Sequence, residues 1–287
     1  MFKTVGKEVW AFDLEWCPDP QAGRLLYHLP EDMPDAEVVA EMWVRNGATE
    51  EDPTPFLKTV LCRVVSIAAI QRKVKGTGEI ELNLLWLPRD VDDPKQQAEA
   101  VIIGKFLQAV GRFKPQLVGF NSNNADLKIL IQRAAVLGIS APGFCQRPEK
   151  PWDGFDYFSR QSEAHIDMMD ILGTWGKGGV SLNEIATLSG IPGKMDTSGE
   201  NVPVMWLKGQ WREIIEYNCF DALTTYLVWL RLAHMAGHLA TDAYGEEQEQ
   251  VRVLIMTLSE DPSHEYLTRY FDEWERLQQA TGQCPGL

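Results

Sequence analysis

Val9-Trp10-Ala11-Phe12-Asp13-Leu14-Glu15-Trp16 reads as a β-strand with two acids two positions apart, and the strand period of two puts both carboxylates on one face. A strand this apolar belongs inside a sheet, where paired carboxylates are costly unless a metal ion or basic partners neutralise them. On an edge strand the same acids could simply face water, so the pair gains meaning from the rest of the chain.

Far downstream, Trp211-Arg212-Glu213-Ile214-Ile215-Glu216-Tyr217-Asn218-Cys219-Phe220-Asp221-Ala222-Leu223 has apolar residues at three- and four-residue steps and is predicted to be a helix. Tyr217 and Asp221, one turn apart, share a face and can reach one object beside the helix. Between these ends, Leu117-Val118-Gly119-Phe120 reads as a short strand, Asn121-Ser122-Asn123-Asn124 as a polar turn, and Asp126 falls where a helix begins. Taken singly, Asp126 has an ordinary use as a helix cap or a partner of the helix dipole.

The order of these pieces is specific: Asp-x-Glu on an early strand, Asn then Asp after a middle strand, and Tyr-x-x-x-Asp on a late helix. It resembles the tyrosine-bearing branch of the DEDD superfamily of 3′-to-5′ exonucleases, and more closely the predicted exonucleases related to the proofreading domain of family B DNA polymerases. The resemblance covers roughly residues 8 to 236 and includes His165-Ile166-Asp167-Met168-Met169-Asp170, Ser181-Leu182-Asn183-Glu184 and Gly190-Ile191-Pro192-Gly193-Lys194. It implies catalytic roles for Asp13, Glu15, Asp126, Tyr217 and Asp221, metal ligation by the four acids, and nucleotide contacts by Leu14, Trp16 and Asn121. Two positions depart from the family pattern: Ala125 replaces a frequent aromatic residue, and Trp16 replaces a smaller or β-branched one. Both bear on substrate fit rather than on the reaction class.

The chemistry suits these residue types. A phosphodiester and hydroxide are both anions, so their meeting needs local positive charge, and hard Mg²⁺ or Mn²⁺ prefers carboxylate and water oxygens. The implied two-metal arrangement has Asp13 bridging both ions, Glu15 and Asp221 completing one sphere and Asp126 holding the second ion. Tyr217 is expected to orient the attacking water, because a phenol of ordinary pKa is a poor base at neutral pH.

Length and composition narrow the class. The chain has 287 residues, 45% of them hydrophobic, with ten tryptophans and a net charge of −14. That describes a well-packed acidic protein and argues against disorder and against a basic tail that coats nucleic acid indiscriminately. Five scattered cysteines with no Cys-x-x-Cys pair suggest free thiols rather than a disulfide framework or zinc site. No apolar run is long enough for a bilayer and no leader pattern opens the chain, so a soluble cytoplasmic protein without membrane contact is expected. Lys128, Arg133, Lys177, Lys194, Lys208 and Arg212 could guide phosphates, and Trp16, Phe120, Trp175 and Trp206 could stack on bases, although surface charge and core packing are the commoner uses. The glycine-rich stretch at 173–179 lacks a P-loop ending, and His234 and His238 lack a third zinc ligand.

The expected fold class is α/β, a ribonuclease H-like core with a five-stranded mixed sheet flanked by helices. Strands are placed near 9–14, 63–72, 80–87, 116–120 and 165–167, the first three as a meander. Helices are placed near 93–113, 124–137, 181–189 and 210–235, with two more near 246–258 and 264–280. The expected organisation is an exonuclease domain over 1–240, interrupted by a long insertion at about 17–60 with one helix near 35–45, and a C-terminal helical extension over 241–287. The leading functional expectation is a metal-dependent exonuclease on the 3′ end of single-stranded DNA, with RNA second, releasing nucleoside 5′-monophosphates. Alternatives are a non-catalytic nucleic-acid- or protein-binding module, and a proofreading subunit that meets a replication or repair protein through its C-terminal helices.

Overall fold

The computed structural model describes residues 1–173, 179–195 and 199–282. Trp175, Lys177 and Cys284 lie outside the described residues. In chain order the elements are β1 (Glu8–Pro18), α1 (Pro20–Tyr27), α2 (Asp35–Arg45), β2 (Cys62–Val74), β3 (Ile80–Leu87), α3 (Glu99–Phe113), β4 (Gln116–Gly119), α4 (Asp126–Val136) and α5 (Pro142–Cys145). They continue with β5 (His165–Asp167), α6 (Met168–Leu172), α7 (Leu182–Leu188), α8 (Val202–Leu207), α9 (Trp211–Met235), α10 (Thr241–Ser259) and α11 (Tyr266–Thr281).

The five strands form one sheet in the order β3-β2-β1-β4-β5. β1, β2 and β3 are an antiparallel meander, whereas β4 and β5 run parallel to β1. This is the mixed sheet of a ribonuclease H-like core, as the sequence predicts. Strand alternation divides the hydrophobic interior into two layers. Val9 and Ala11 face the long helix α9 with Ala68 and Ile70, while Trp10, Phe12 and Leu14 pack against Ile102, Ile103 and Phe106 of α3 and Leu127 and Leu130 of α4. Continuing the alternation puts Asp13 on the α9 side. β1 runs four residues past its predicted end, and a bulge between Glu15 and Trp16 shifts its register against β2, the kind of defect that bends a strand and re-aims its side chains.

The insertion carries α2 at the expected residues and also α1, which pattern reading passed over although Asp19 accepts a hydrogen bond from Gln21 N–H as its cap and Pro20 opens it. Val38 and Met42 of α2 enter the core, so the insertion is fastened to the body. α3 begins at Glu99, later than expected, because residues 93–98 form turns whose backbone bonds run from Gln96 and Gln97 to Asp93. At the C-terminal end, Tyr270 and Trp274 of α11 are wholly buried against α9. Glu247 of α10 reaches the sheet, where it accepts from Arg72 Nη2 at 3.0 Å and from the Tyr226 hydroxyl. Val253 and Met256 of α10 remain exposed. Among the described residues, no helix is long and apolar enough to cross a membrane.

Candidate active site

β4 pairs with β1 only over Val9, Trp10 and Ala11, so β1 continues beyond the end of its parallel neighbour and a crevice opens at the strand ends, where open α/β sheets place their ligands. The turn leaving β4 folds into that crevice. Gly119 is needed there, since a Cβ on it would lie 2.5 Å from the Ser122 side chain, and Asn121 adopts a left-handed conformation at φ 60°, which asparagine tolerates better than most residues. Asp167, at the end of β5, holds the turn by accepting from the backbone N–H groups of Asn121 and Asn123, each at 2.8 Å. The same carboxylate caps α6 through Met169 N–H at 2.9 Å, and its grip on the turn was not foreseen. The turn delivers Asp126 to the first position of α4, where its Oδ1 accepts from Leu14 N–H at 3.2 Å. That amide lies beyond the reach of β4, and Asp126 takes the place of the missing strand.

From the other side α9 brings in Tyr217 and Asp221, one turn apart and hydrogen-bonded to each other. Ligand atoms of Asp13, Glu15 and Asp221 all lie within 4.8 Å of one another. Asp126 stands beside this trio. Asn218, a site residue that sequence reasoning missed, donates Nδ2–H to Asp13 Oδ2 at 2.7 Å. Its own Oδ1 accepts from Ser66 Oγ at 2.9 Å. The available signal was an amide on the face of an otherwise apolar helix, since a buried asparagine must find partners.

The acids of the cluster are buried and crowd one another. Burial first, then the charges of Asp221, Glu15 and Asp126, push Asp13 well above the usual carboxylate range, against the Asn218 hydrogen bond. Glu15 is raised by burial and by Asp221 and Asp126. Burial also lifts Asp126 to about 7, opposed by backbone N–H groups, and Asp221 to about 6, opposed by Tyr217 and the Lys194 ammonium. The Tyr217 phenol is pushed strongly upward by burial and by the acids around it, so it stays protonated at any working pH. An all-carboxylate set that cannot ionise freely alone fits hard divalent cations, whose charge would reverse each of these shifts.

These groups line a cleft of about 730 Å³. Its walls include Trp16, Trp43, Phe120 and the insertion segment 51–57, with Glu200 just before α8 and Pro203 within it. Phe56 is 87% exposed. Leu14 borders the cleft with its side chain in the core and serves the site through its backbone; Trp16 and Asn121 are half-buried at its edge.

Of the bases considered for phosphate guidance, Arg133 is buried in a triad with Asp19 and Glu99, at 2.6 and 2.7 Å, which makes it a core strut. Arg212 pairs with Asp92, and Lys194 is the base that acts on the cluster. His234 stacks on Tyr244, and His238 bonds to the Phe2 carbonyl. Ser122 bonds to His165, whose pKa burial lowers to about 4.

The chain resembles in structure the family B DNA polymerase of the hyperthermophilic archaeon Pyrobaculum calidifontis, at 16% identity and a TM-score of 0.45. That match covers 97% of this chain and 29% of the polymerase. No curated protein matches it in sequence. Residues 54–274 match the family described as predicted 3′-5′ exonuclease related to the exonuclease domain of PolB, a span that includes Asp126, Tyr217 and Asp221 and runs into α11, while Asp13 and Glu15 precede it. The chain belongs to that family of predicted 3′-5′ exonucleases.

Proposed function

We propose that this protein is a divalent-metal-dependent exonuclease that removes nucleotides from the 3′ end of single-stranded nucleic acid, DNA before RNA, releasing nucleoside 5′-monophosphates. The observation that carries this reading is the convergence of Asp13, Glu15 and Asp221 within 4.8 Å, on a cleft floor shared with Asp126 and Tyr217. Mg²⁺ or Mn²⁺, held by the four acids, would supply the positive charge that lets a phosphodiester and an attacking hydroxide meet.

The chain's own groups do the rest. Asn218 fixes the rotamer of Asp13, and Leu14 N–H fixes that of Asp126, so the acids are held in place before substrate arrives. Tyr217, a protonated donor beside Asp221, orients a water and does not abstract its proton. Trp16, Phe120, Trp43 and Phe56 offer ring faces along the cleft, the kind of surface on which unpaired bases stack with little regard to sequence. Acidic Glu51, Asp52 and Glu200 on the rim disfavour the dense phosphate of a duplex and leave room for a frayed single-stranded end. The 1–240 unit and the helices after it act as one body, because α10 and α11 are buried against α9 and the sheet.

The test is degradation of a 5′-labelled single-stranded DNA, with RNA beside it, in Mg²⁺ or Mn²⁺ and in EDTA. A ladder that shortens from the 3′ end only with metal, and not with the Asp13→Ala/Asp221→Ala double variant, is expected. Tyr217→Phe should lower kcat with a smaller change in KM. Wild-type turnover by the double variant would remove the assignment.

A further inference from the structure

Resting on that reading, we propose that Arg63 and Trp206 form a second nucleic-acid subsite that holds an internal phosphodiester and base of the substrate strand, upstream of the 3′ end being cut. Cys62 and Pro203 line the catalytic cleft. The next residue of β2, Arg63, and the residue one turn further along α8, Trp206, line a separate cavity of about 560 Å³. α2 borders both, with Trp43 on the first and Ala36 on the second. Ala36 and Trp43 are seven positions apart on the helix, or about 10 Å along the axis, a span that a single strand crosses in a few nucleotides.

The chemistry of the second cavity is that of a phosphate and a base. The Arg63 guanidinium lies 5.1 Å from the centre of the Trp206 ring, a planar cation on a planar ring, and Trp211 lines the same cavity. Arg63 Nε is buried and has no hydrogen-bond partner. Among the described residues Arg63 forms no ion pair, although the chain has 41 acids for 27 lysines and arginines. Asp35, the carboxylate lining this cavity, is already engaged by Arg24 at 2.7 Å. A half-buried arginine that stays unpaired in so acidic a protein is a site for an anion from outside, and guanidinium suits phosphate in shape and charge. Trp206 and Trp211 also pack on the cluster that contains Tyr217 and Cys17, so a strand gripped here is anchored to the same body that carries the catalytic helix.

The experiment compares two probes, octathymidylate and the p-nitrophenyl ester of thymidine 5′-monophosphate, which has a scissile phosphodiester and none upstream of it. Arg63→Gln is expected to raise KM for the octanucleotide about tenfold with kcat within about twofold, so that the preference for the long probe over the short falls about tenfold. Arg63→Lys should restore part of it. Equal losses on both probes would mean a structural role and overturn the proposal, as would an unchanged preference. Fluorescence anisotropy of 5′-fluorescein octathymidylate reads the site apart from hydrolysis. Weaker binding by Arg63→Gln, with unfolding at the wild-type temperature, supports the subsite even where the wild type cuts neither probe, and equal affinity refutes it.

Discussion

Asn218 of α9 donates a 2.7 Å hydrogen bond to Asp13 of β1, and so couples the strand that carries Asp13 and Glu15 to the helix that carries Tyr217 and Asp221 across the interior of the protein. The amide is wholly buried, and Ser66 fixes which of its ends faces the acid. Asn218→Ala should therefore lower kcat about tenfold or more by freeing the Asp13 rotamer, and should cost about 1–3 kcal/mol of stability by leaving Ser66 and Asp13 unpartnered. Ser66→Ala should show the same pattern more weakly. Steady-state kinetics beside urea unfolding would check both, and full activity in Asn218→Ala would show that Asp13 needs no such support.

The metal-free protein should lose stability as pH rises. Asp126 and Asp221 are lifted to about 7 and about 6, and Asp13 and Glu15 are raised as well. Between the ordinary carboxylate value of about 4 and these raised values the folded chain holds protons that the unfolded chain has released, so the slope of stability against pH is negative. In EDTA, Tm should be several degrees higher at pH 5 than at pH 8. Mn²⁺ should stabilise more at pH 8, because the acids must be ionised to bind it. Asp221→Asn should flatten the EDTA profile and raise Tm at pH 8, and an EDTA profile that climbs over this interval would contradict the crowding of the acids.

Asp167 is a positioning residue. Its carboxylate accepts from three backbone N–H groups, those of Asn121, Asn123 and Met169. Asp167→Ala should cost about 2 kcal/mol or more and should loosen the turn that carries Asn121 and Asp126. Hydrogen exchange should quicken at the amides of Asn121 and Asn123, with a fall in kcat that saturating metal does not rescue. Exchange at the wild-type rate would mean that the turn holds itself.

The helices after residue 240 should be indispensable. Arg72 and Glu247 are both nearly inaccessible, and the Tyr226 hydroxyl joins their network. Removing one member of a buried pair costs about 3–5 kcal/mol, so Glu247→Ala should approach the full stability of a domain of ordinary margin. A chain ending at residue 240 should be insoluble or unfolded by circular dichroism. A soluble truncated chain with native ellipticity would show that the catalytic body folds without them.

Much of this was legible because it rests on period. Alternation in β1 puts Asp13 opposite the layer of Phe12 and Leu14, and the helical step puts Tyr217 over Asp221. All five strands fall where β-branched and aromatic runs predict them. What escaped reading depends on contacts between distant residues. Asn218, Asp167 and Arg63 each look like an ordinary polar residue until the fold supplies a partner or withholds one. Short α1, α5 and α8 escaped for another reason: at eight residues or fewer they span too few turns for a helical repeat to be told from a loop. Arg133, read as a surface base, became a strut because Asp19 in the insertion and Glu99 at the start of α3 meet it.

The distance along the chain between the acids has a consequence for when the proposed site can form. Asp13 is made before Asp221, which stands 208 residues later, with Glu247 later still. Domains fold as units as synthesis proceeds, and here the acidic set cannot close until α9 docks on the sheet and α10 locks against Arg72. A chain made only as far as β5 carries Asp13, Glu15 and Asp126 without Asp221, so a partly made chain lacks the proposed metal site and gains it only when α9 arrives.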